Sequence, residues 1–87
     1  MTRDEFNEMM DSALAARGWT IRDLANAIGR TDATIYTFRR AETNNYGLAV
    51  DICEALAMPD SCAAATYQWL RNQWAEWAEP EPAKPEA

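Results

Sequence analysis

Residues 18–38, "GWTIRDLANAIGRTDATIYTF", decide the fold because they contain two helical patterns separated by one sharp corner. The first pattern predicts a helix over about 20–28, with Thr20 as its N-cap. Its apolar residues recur at steps of three and four: Ile21, Leu24, Ala25 and Ile28. Gly29 follows, and glycine accepts the left-handed backbone that a tight turn requires. The stretch therefore predicts two short helices that meet at Gly29.

The second pattern predicts a helix over about 32–40, with Thr31 as its N-cap. Ile35 and Phe38, three residues apart, are expected to face the core. The opposite face then carries four residues at steps of three, one and three: Ala33, Tyr36, Thr37 and Arg40. This outward face is the first candidate for a binding surface.

The same periodicity predicts three further helices, over about 3–16, about 46–57, and from Asp60 or Ser61 to about 78. Gly18 is expected to end the first of them, and Met58-Pro59 to end the second. The inward positions are Phe6, Met9, Met10, Ala13 and Leu14 in the first, and Leu48, Ala49, Ile52, Cys53 and Leu56 in the second. The sequence shows no alternating strand pattern, so the predicted fold class is all-α, a five-helix bundle.

The composition favours a protein that needs neither metal nor cofactor. The chain has 87 residues, 48% of them hydrophobic, which suffices for one small packed domain. Cys53 and Cys62 are its only cysteines and histidine is absent, so a four-ligand zinc site is not expected. Cys53 is predicted to be a core residue, and a disulfide between the two is not favoured in a reducing compartment. Without histidine or carboxylates paired around a cleft, no catalytic residues are expected.

The location predicted from the sequence is the cytoplasm. No run of eighteen apolar residues occurs, so no membrane partner is expected. The N-terminal stretch "MTRDEFNEMM" is acidic and lacks the basic-then-apolar order of a signal peptide. At the other end, residues 79–87 hold three prolines and three glutamates and are expected to be a disordered tail.

The charge is distributed unevenly along the chain. The net charge of −6 argues against a generic nucleic-acid binder, which usually carries a basic face. However, residues 1–18 have a balance of −2, residues 19–45 of +1, and residues 46–87 of −5. The two helices around Gly29 thus lie in the only segment that is not acidic.

The opening stretch, followed by "VDICEALAM" (residues 50–58), resembles the helix-turn-helix of the Cro and lambda-repressor-like family, also called the xenobiotic response element family. The matching features are Leu24-Ala25, Gly29 three residues after Asn26, Thr31, Ile35, and the Ile52 and Leu56 pair. The resemblance covers roughly residues 3–58. It implies that residues 1–58 form a DNA-binding domain of lambda-repressor-like type. In such a domain helix 2, here about 20–28, crosses the DNA backbone, and helix 3, here about 32–40, is the recognition helix in the major groove.

Carried over residue by residue, the resemblance implies two sets of DNA contacts. Base contacts are implied for Asp32, Ala33, Tyr36 and Thr37. Phosphate contacts are implied for Arg22, Arg30, Thr31, Thr34, Arg39, Arg40, Asn44 and Asn45. The chain departs from the family at several places, two of which concern the predicted contacts. Ile21 stands where the family often has glutamine. Arg39 and Leu14 stand where the family pairs a glutamate with an arginine, so Arg39 is expected to be free to reach DNA.

Asp32 is an acidic residue at the start of a helix that is expected to enter a phosphate-lined groove. It has three interpretations. It complements the dipole at the N-terminus of helix 3, it accepts a hydrogen bond from a cytosine amino group, or it repels DNA. The sequence alone leaves all three open.

The C-terminal helix, residues 59–78, carries a heptad-like seam at steps of four, three, four and three. The seam consists of Ala63, Tyr67, Leu70, Trp74 and Trp77. One interpretation is that it closes the core of the monomer. The preferred one is that Tyr67, Leu70, Trp74 and Trp77 form a homodimer interface, because a two-fold dimer engages two half-sites.

The expected function is a sequence-specific, dimeric transcription repressor of bacterial or phage type that binds a short inverted repeat in double-stranded DNA. The alternative is a protein-binding module of the same fold, such as a phage antirepressor or inhibitor. That module would use the acidic C-terminal half and the tryptophans to bind a protein partner. An enzyme is not expected.

Overall fold

The computed structural model describes the backbone of residues 1–77 and the side chains of residues 1–74. Over this range it has five helices and no strand: α1 (Arg3–Arg17), α2 (Ile21–Ile28), α3 (Asp32–Arg39), α4 (Tyr46–Leu56) and α5 (Asp60–Trp77). The predicted all-α class is thus confirmed, and the predicted tail, residues 79–87, lies outside the described residues. None of the described helices is long and apolar enough to cross a membrane.

The helix ends follow from the residues that flank them. Thr20 and Thr31 cap α2 and α3 as predicted, each accepting a hydrogen bond from the backbone amide three residues on. Gly18 and Gly29 end α1 and α2 in the left-handed conformation, with φ of 69° and 73°. Only three residues, 29–31, separate α2 from α3. The short turn brings the two helices into contact.

The core lies between α4 and the helices around it. α4 packs against α1, α2 and α5, whereas α3 packs against α1 and α2. All five predicted inward residues of α4 are buried: Leu48, Ala49, Ile52, Cys53 and Leu56. In α1 the predicted stripe is buried at Phe6, Met10 and Leu14 and half-buried at Met9 and Ala13. The apolar periodicity therefore placed the core correctly.

The two cysteines belong to this core. Cys53 and Cys62 are both buried and both free thiols. Burial raises the pKa of the Cys53 thiol to about 11. The prediction that Cys53 is a small core residue is confirmed.

Ala57 offers a way to stabilise the fold. It is the C-cap of α4 and has φ 58°, a left-handed conformation that costs an alanine about 1–2 kcal/mol and a glycine almost nothing. We expect Ala57→Gly to raise the free energy of unfolding by about 1 kcal/mol and the melting temperature by about 4–8 °C. Ala16→Gly, an exposed position inside α1, is the matched control and should lower both. Equal destabilisation by the two glycines, in thermal melts, would contradict the strain at Ala57.

Candidate nucleic-acid interface

α3 is anchored on its inner side. Ile35 and Phe38 are 0% exposed, as their spacing predicts. The ring of Phe38 meets that of Phe6 in an edge contact, with the centroids 5.6 Å apart. The side-chain amide of Asn7 donates to the carbonyl of Arg39 at 2.9 Å, which satisfies one of the carbonyls that a helix end leaves without a partner. Contacts from α1 thus hold both the side and the C-terminal end of α3.

Arg3 is the second anchor of α3, and the sequence analysis did not single it out. Its side chain is 1% exposed, and its guanidinium lies 3.8 Å from the ring centroid of Phe38. The guanidinium donates to the carbonyl oxygens of Phe38 (2.6 Å) and Thr43 (3.4 Å), to Oδ1 of Asn44 (3.2 Å) and to Oγ1 of Thr66 (3.0 Å). Burial lowers its pKa to about 10. A signal for this role exists: Arg3 extends the buried Phe6, Met10 and Leu14 stripe by one step.

The outer side of α3 is open, which confirms the predicted division of its faces. Tyr36 is 46% exposed, Ala33 and Arg40 are exposed, and Thr37 is half-buried. The hydroxyl of Thr37 donates to the carbonyl of Ala33 at 2.9 Å. These four residues form the outer strip of α3, in which three side chains are exposed and that of Thr37 is partly covered.

Each of the four arginines in residues 19–45 forms an ion pair. The partners are Arg22 with Asp32 (3.0 Å), Arg30 with Asp51 (3.3 Å), Arg39 with Asp11 (2.9 Å) and Arg40 with Glu42 (2.9 Å). Most of these side chains are substantially exposed, and an exposed pair is worth only about 0–1 kcal/mol. Each carboxylate cancels the positive charge of its arginine. Because an exposed pair adds little stability, another anion can displace the carboxylate from the guanidinium group.

The prediction that Arg39 lacks a partner is wrong. Its guanidinium donates to both carboxylate oxygens of Asp11, at 2.9 and 3.2 Å, and to the sulfur of Met10 at 3.3 Å. This pair joins α1 to the last residue of α3, with Asp11 as the partner of Arg39. A bidentate pair holds an arginine in one geometry. Arg39 therefore braces α3 on α1.

Asn44, a predicted phosphate contact, is half-buried and forms hydrogen bonds inside the bundle. Its Oδ1 accepts from Arg3, and its Nδ2 donates to the carbonyl of Tyr67 at 3.0 Å. By contrast, Asn45 is exposed and caps α4 through Leu48. Asn45 also lines a shallow pocket of about 200 Å³ with Thr34, Thr37, Thr43 and Leu48. The predicted polar residues at 34, 37 and 45 thus lie around one notch beside α3.

Asp32 stands at the start of α3 with both carboxylate oxygens engaged. Oδ2 accepts from Nη2 of Arg22 at 3.0 Å, and Oδ1 accepts from the backbone amide of Ala33 at 3.0 Å. The hydrogen bond from Arg22 holds the pKa of Asp32 below its usual value. The charge of this carboxylate is balanced by α2, so Asp32 does not present an isolated negative charge to the surface.

The seam of α5 divides into a buried part and an exposed part. Leu70 is 1% exposed within the single chain, so it is not available at the surface for a dimer interface, contrary to the prediction. Tyr67 is half-buried, and its ring packs on Tyr46 with centroids 5.2 Å apart. Trp74 is 36% exposed. The side chain of Trp77 lies outside the described residues. The earlier turns of α5 close the bundle of their own chain, and among the described side chains of the seam Trp74 is the exposed one.

Within residues 1–77, no group of histidine, cysteine or carboxylate residues has the arrangement of a metal site.

Neither a protein-family model, nor a curated protein, nor a solved structure matches this chain.

Proposed function

We propose that this protein is a sequence-specific DNA-binding transcription regulator of the Cro and lambda-repressor-like type, which acts as a repressor by occupying a promoter. One observation carries the proposal. A three-residue turn joins α2 to α3. Ile35 and Phe38 anchor α3 in the core, while its opposite side is largely exposed to solvent. A short helix held in this way fits the width of the DNA major groove.

The proposed interface places Asp32, Ala33, Tyr36 and Thr37 toward base edges. Arg30 and Arg40 would contact phosphate oxygens after exchanging their carboxylate partners, and Arg22 would contact phosphate with its other N–H groups while it keeps its bond to Asp32. The hydroxyls of Thr31 and Thr34 lie 3.0 Å from each other at the start of α3, where they suit the same backbone. Arg39 and Asn44 support the interface from inside the bundle.

The carboxylate pairs give the proposed binding a particular character. Non-specific DNA binding depends on positive charge. Here every arginine of residues 19–45 is paired and the chain carries a net charge of −6. We therefore expect weak binding to random DNA and a dependence on base contacts for affinity.

A homodimer formed through the end of α5 would raise the affinity for the operator, which the paired arginines keep low in a single copy. Trp74 is exposed on the last described turns of α5, and a large aromatic ring is a common anchor of protein interfaces. Two copies joined there would engage the two halves of a short inverted repeat. Linked binding of this kind strengthens affinity without new contacts to each half-site.

The rival proposal is a protein-binding module. The pairing of all four arginines and the balance of −5 in residues 46–87 favour it, because an acidic surface suits a basic protein partner. Trp74 would then anchor that partner instead of a second copy.

Selection from a pool of random DNA duplexes separates the two functions. The full chain is incubated with the pool at 50 mM and at about 200 mM salt, where phosphate contacts are weakened. We expect one inverted repeat to be enriched at both concentrations. No enrichment of any sequence at either concentration would overturn the DNA-binding proposal.

A further inference from the structure

A groove lined by two tyrosine rings lies between the start of α4 and the first half of α5. The ring of Tyr46 meets that of Tyr67 in an edge contact, with the centroids 5.2 Å apart. Ala64 and Gln68 complete a groove of about 270 Å³, here called the tyrosine groove. Tyr46 is 45% exposed, and Ala64 is exposed as well. The groove is therefore open to solvent and can admit a ligand without a change in the core.

The two rings give the groove the chemistry of a site for proline-rich peptides. Such peptides bind as a polyproline II strand in grooves that aromatic side chains line. The strand has three residues per turn and no internal hydrogen bonds, so its carbonyl oxygens accept from water or from a partner. A tyrosine offers an apolar face to a proline ring and a hydroxyl to such a carbonyl.

The sequence that follows α5 contains a strand of this kind. Residues 80–85 read "PEPAKP", with Pro82 and Pro85 in the P-x-x-P spacing. Because polyproline II has three residues per turn, two prolines at this spacing lie on the same side of the strand. Both rings can therefore face one groove at the same time.

The segment is long enough to return to the tyrosine groove of its own molecule. Tyr67 lies ten residues before Trp77, where α5 ends, and is thus about 15 Å away along the helix. A polyproline II strand advances about 3.1 Å per residue, so residues 81–85 span about 15 Å. A reversal of the chain over residues 78–80 therefore brings the two prolines to the groove.

The charges along this path are complementary. Arg71 is the only basic residue in the sequence of α5, and it is exposed. Its guanidinium lies 6.0 Å from the centroid of the Tyr67 ring. Glu81 directly precedes Pro82, so it passes Arg71 as the returning strand enters the groove. An exposed ion pair adds little affinity. It does favour this direction of the strand over the reverse one.

We propose that the tyrosine groove binds residues 82–85 of the same chain as a polyproline II strand, with Glu81 beside Arg71. The tail is tethered, so its effective concentration at the groove is on the order of 1 mM. A contact with a dissociation constant of about 0.1 mM then fills the groove in about 90% of the molecules. The bound strand covers Tyr67 and so keeps this part of the α5 seam from a second copy. The inference does not depend on DNA binding, because neither the groove nor the tail belongs to α2 or α3.

Nuclear magnetic resonance of the full chain tests the contact directly. We expect nuclear Overhauser effects between the rings of Pro82 and Pro85 and the aromatic protons of Tyr46 and Tyr67. Because the contact lies within one molecule, their relative intensity should not change on about tenfold dilution. Absence of these effects at every concentration overturns the proposal. Their loss on dilution also overturns it, since a second copy then fills the groove.

A synthetic peptide with the sequence of residues 79–87 measures how far the tail occupies the groove. It is titrated into the wild type and into a chain with Pro82→Ala and Pro85→Ala, whose own tail no longer competes. We expect the variant to bind the peptide with a dissociation constant of about 0.1 mM, and the wild type to bind it about tenfold more weakly. Lys84→Ala with Glu86→Ala is the matched control, since it keeps both prolines and the net charge. The control should bind the peptide as weakly as the wild type.

The groove side of the contact is tested in the chain that carries the two proline changes. Arg71→Glu should weaken peptide binding by about fivefold, whereas Arg17→Glu on α1 should change it by less than about twofold. Both arginines are exposed, so neither change should unfold the chain, which thermal melts check. Equal peptide binding by the wild type and the proline variant overturns the proposal, and so do equal losses in the two arginine variants.

Discussion

Changing Thr37 to glutamate and Arg40 to glutamine in one chain is expected to weaken operator binding by a factor of about 100 or more, with little change in stability. Both residues belong to the outer strip: Thr37 is half-buried, and Arg40, the C-cap of α3, is exposed. The glutamate would place an unpaired negative charge where α3 is proposed to meet the groove, and the glutamine would remove a cation that phosphate can attract.

The expected change in stability is small for local reasons. Thr37 bonds only the Ala33 carbonyl of its own helix, and glutamate is the better helix former. Arg40 pairs with Glu42, and both side chains are more than half exposed, so that pair contributes little. A loss of binding in this variant would therefore reflect the outer face of α3 and not unfolding.

The measurement is a titration of the selected operator, accompanied by thermal melts. Ser12→Glu with Ser61→Glu is the matched control, since it also changes the net charge by −2. Both serines are exposed, and they lie on α1 and at the start of α5. The control should lose less than about tenfold in affinity through its long-range charge alone. Equal losses in the two variants would refute a specific role for α3.

Arg3→Ala is expected to lower the free energy of unfolding by about 3 kcal/mol and the melting temperature by about 12–24 °C. The substitution removes the donor of four hydrogen bonds and leaves the buried Oγ1 of Thr66 without its hydrogen-bond partner. It also removes the guanidinium from the face of the Phe38 ring. The stability lost with these contacts would exceed the stability gained by removing a buried positive charge.

Arg17→Ala is the natural control for Arg3→Ala, because both arginines belong to α1. Arg17 is exposed and makes one hydrogen bond, at 3.4 Å, to a carbonyl of its own helix. We expect Arg17→Ala to cost less than about 0.5 kcal/mol. Arg3→Met adds a second test, since it restores much of the apolar volume but none of the donors. Full recovery of stability in Arg3→Met would show that packing, not hydrogen bonding, is the function of Arg3.

Some residues of the candidate interface could be predicted from the sequence, and others could not. The strip Ala33, Tyr36, Thr37 and Arg40 could be predicted because the residues share one face of a helix. The partner of Arg39 could not be predicted by position: Leu14 occupies the corresponding place on α1, so Arg39 was expected to be free, whereas the structure pairs it with Asp11. Asp11 is an exposed residue of α1, three positions before Leu14. Its carboxylate can pair with Arg39 because an arginine side chain is long enough to reach it.

For residues 1–77, the sequence by itself determined five helices, the ends of α1 to α4 to within one residue, and the side that each of these four turns inward. These features depend on residues within four positions of one another, through capping, backbone conformation and helical periodicity. Only the tertiary structure decided which arginines are paired, that Arg3 is buried, and that Leu70 belongs to the core. Hydrogen bonds such as that from Arg3 to Thr66 join residues 63 positions apart, so they exist only once the helices have packed.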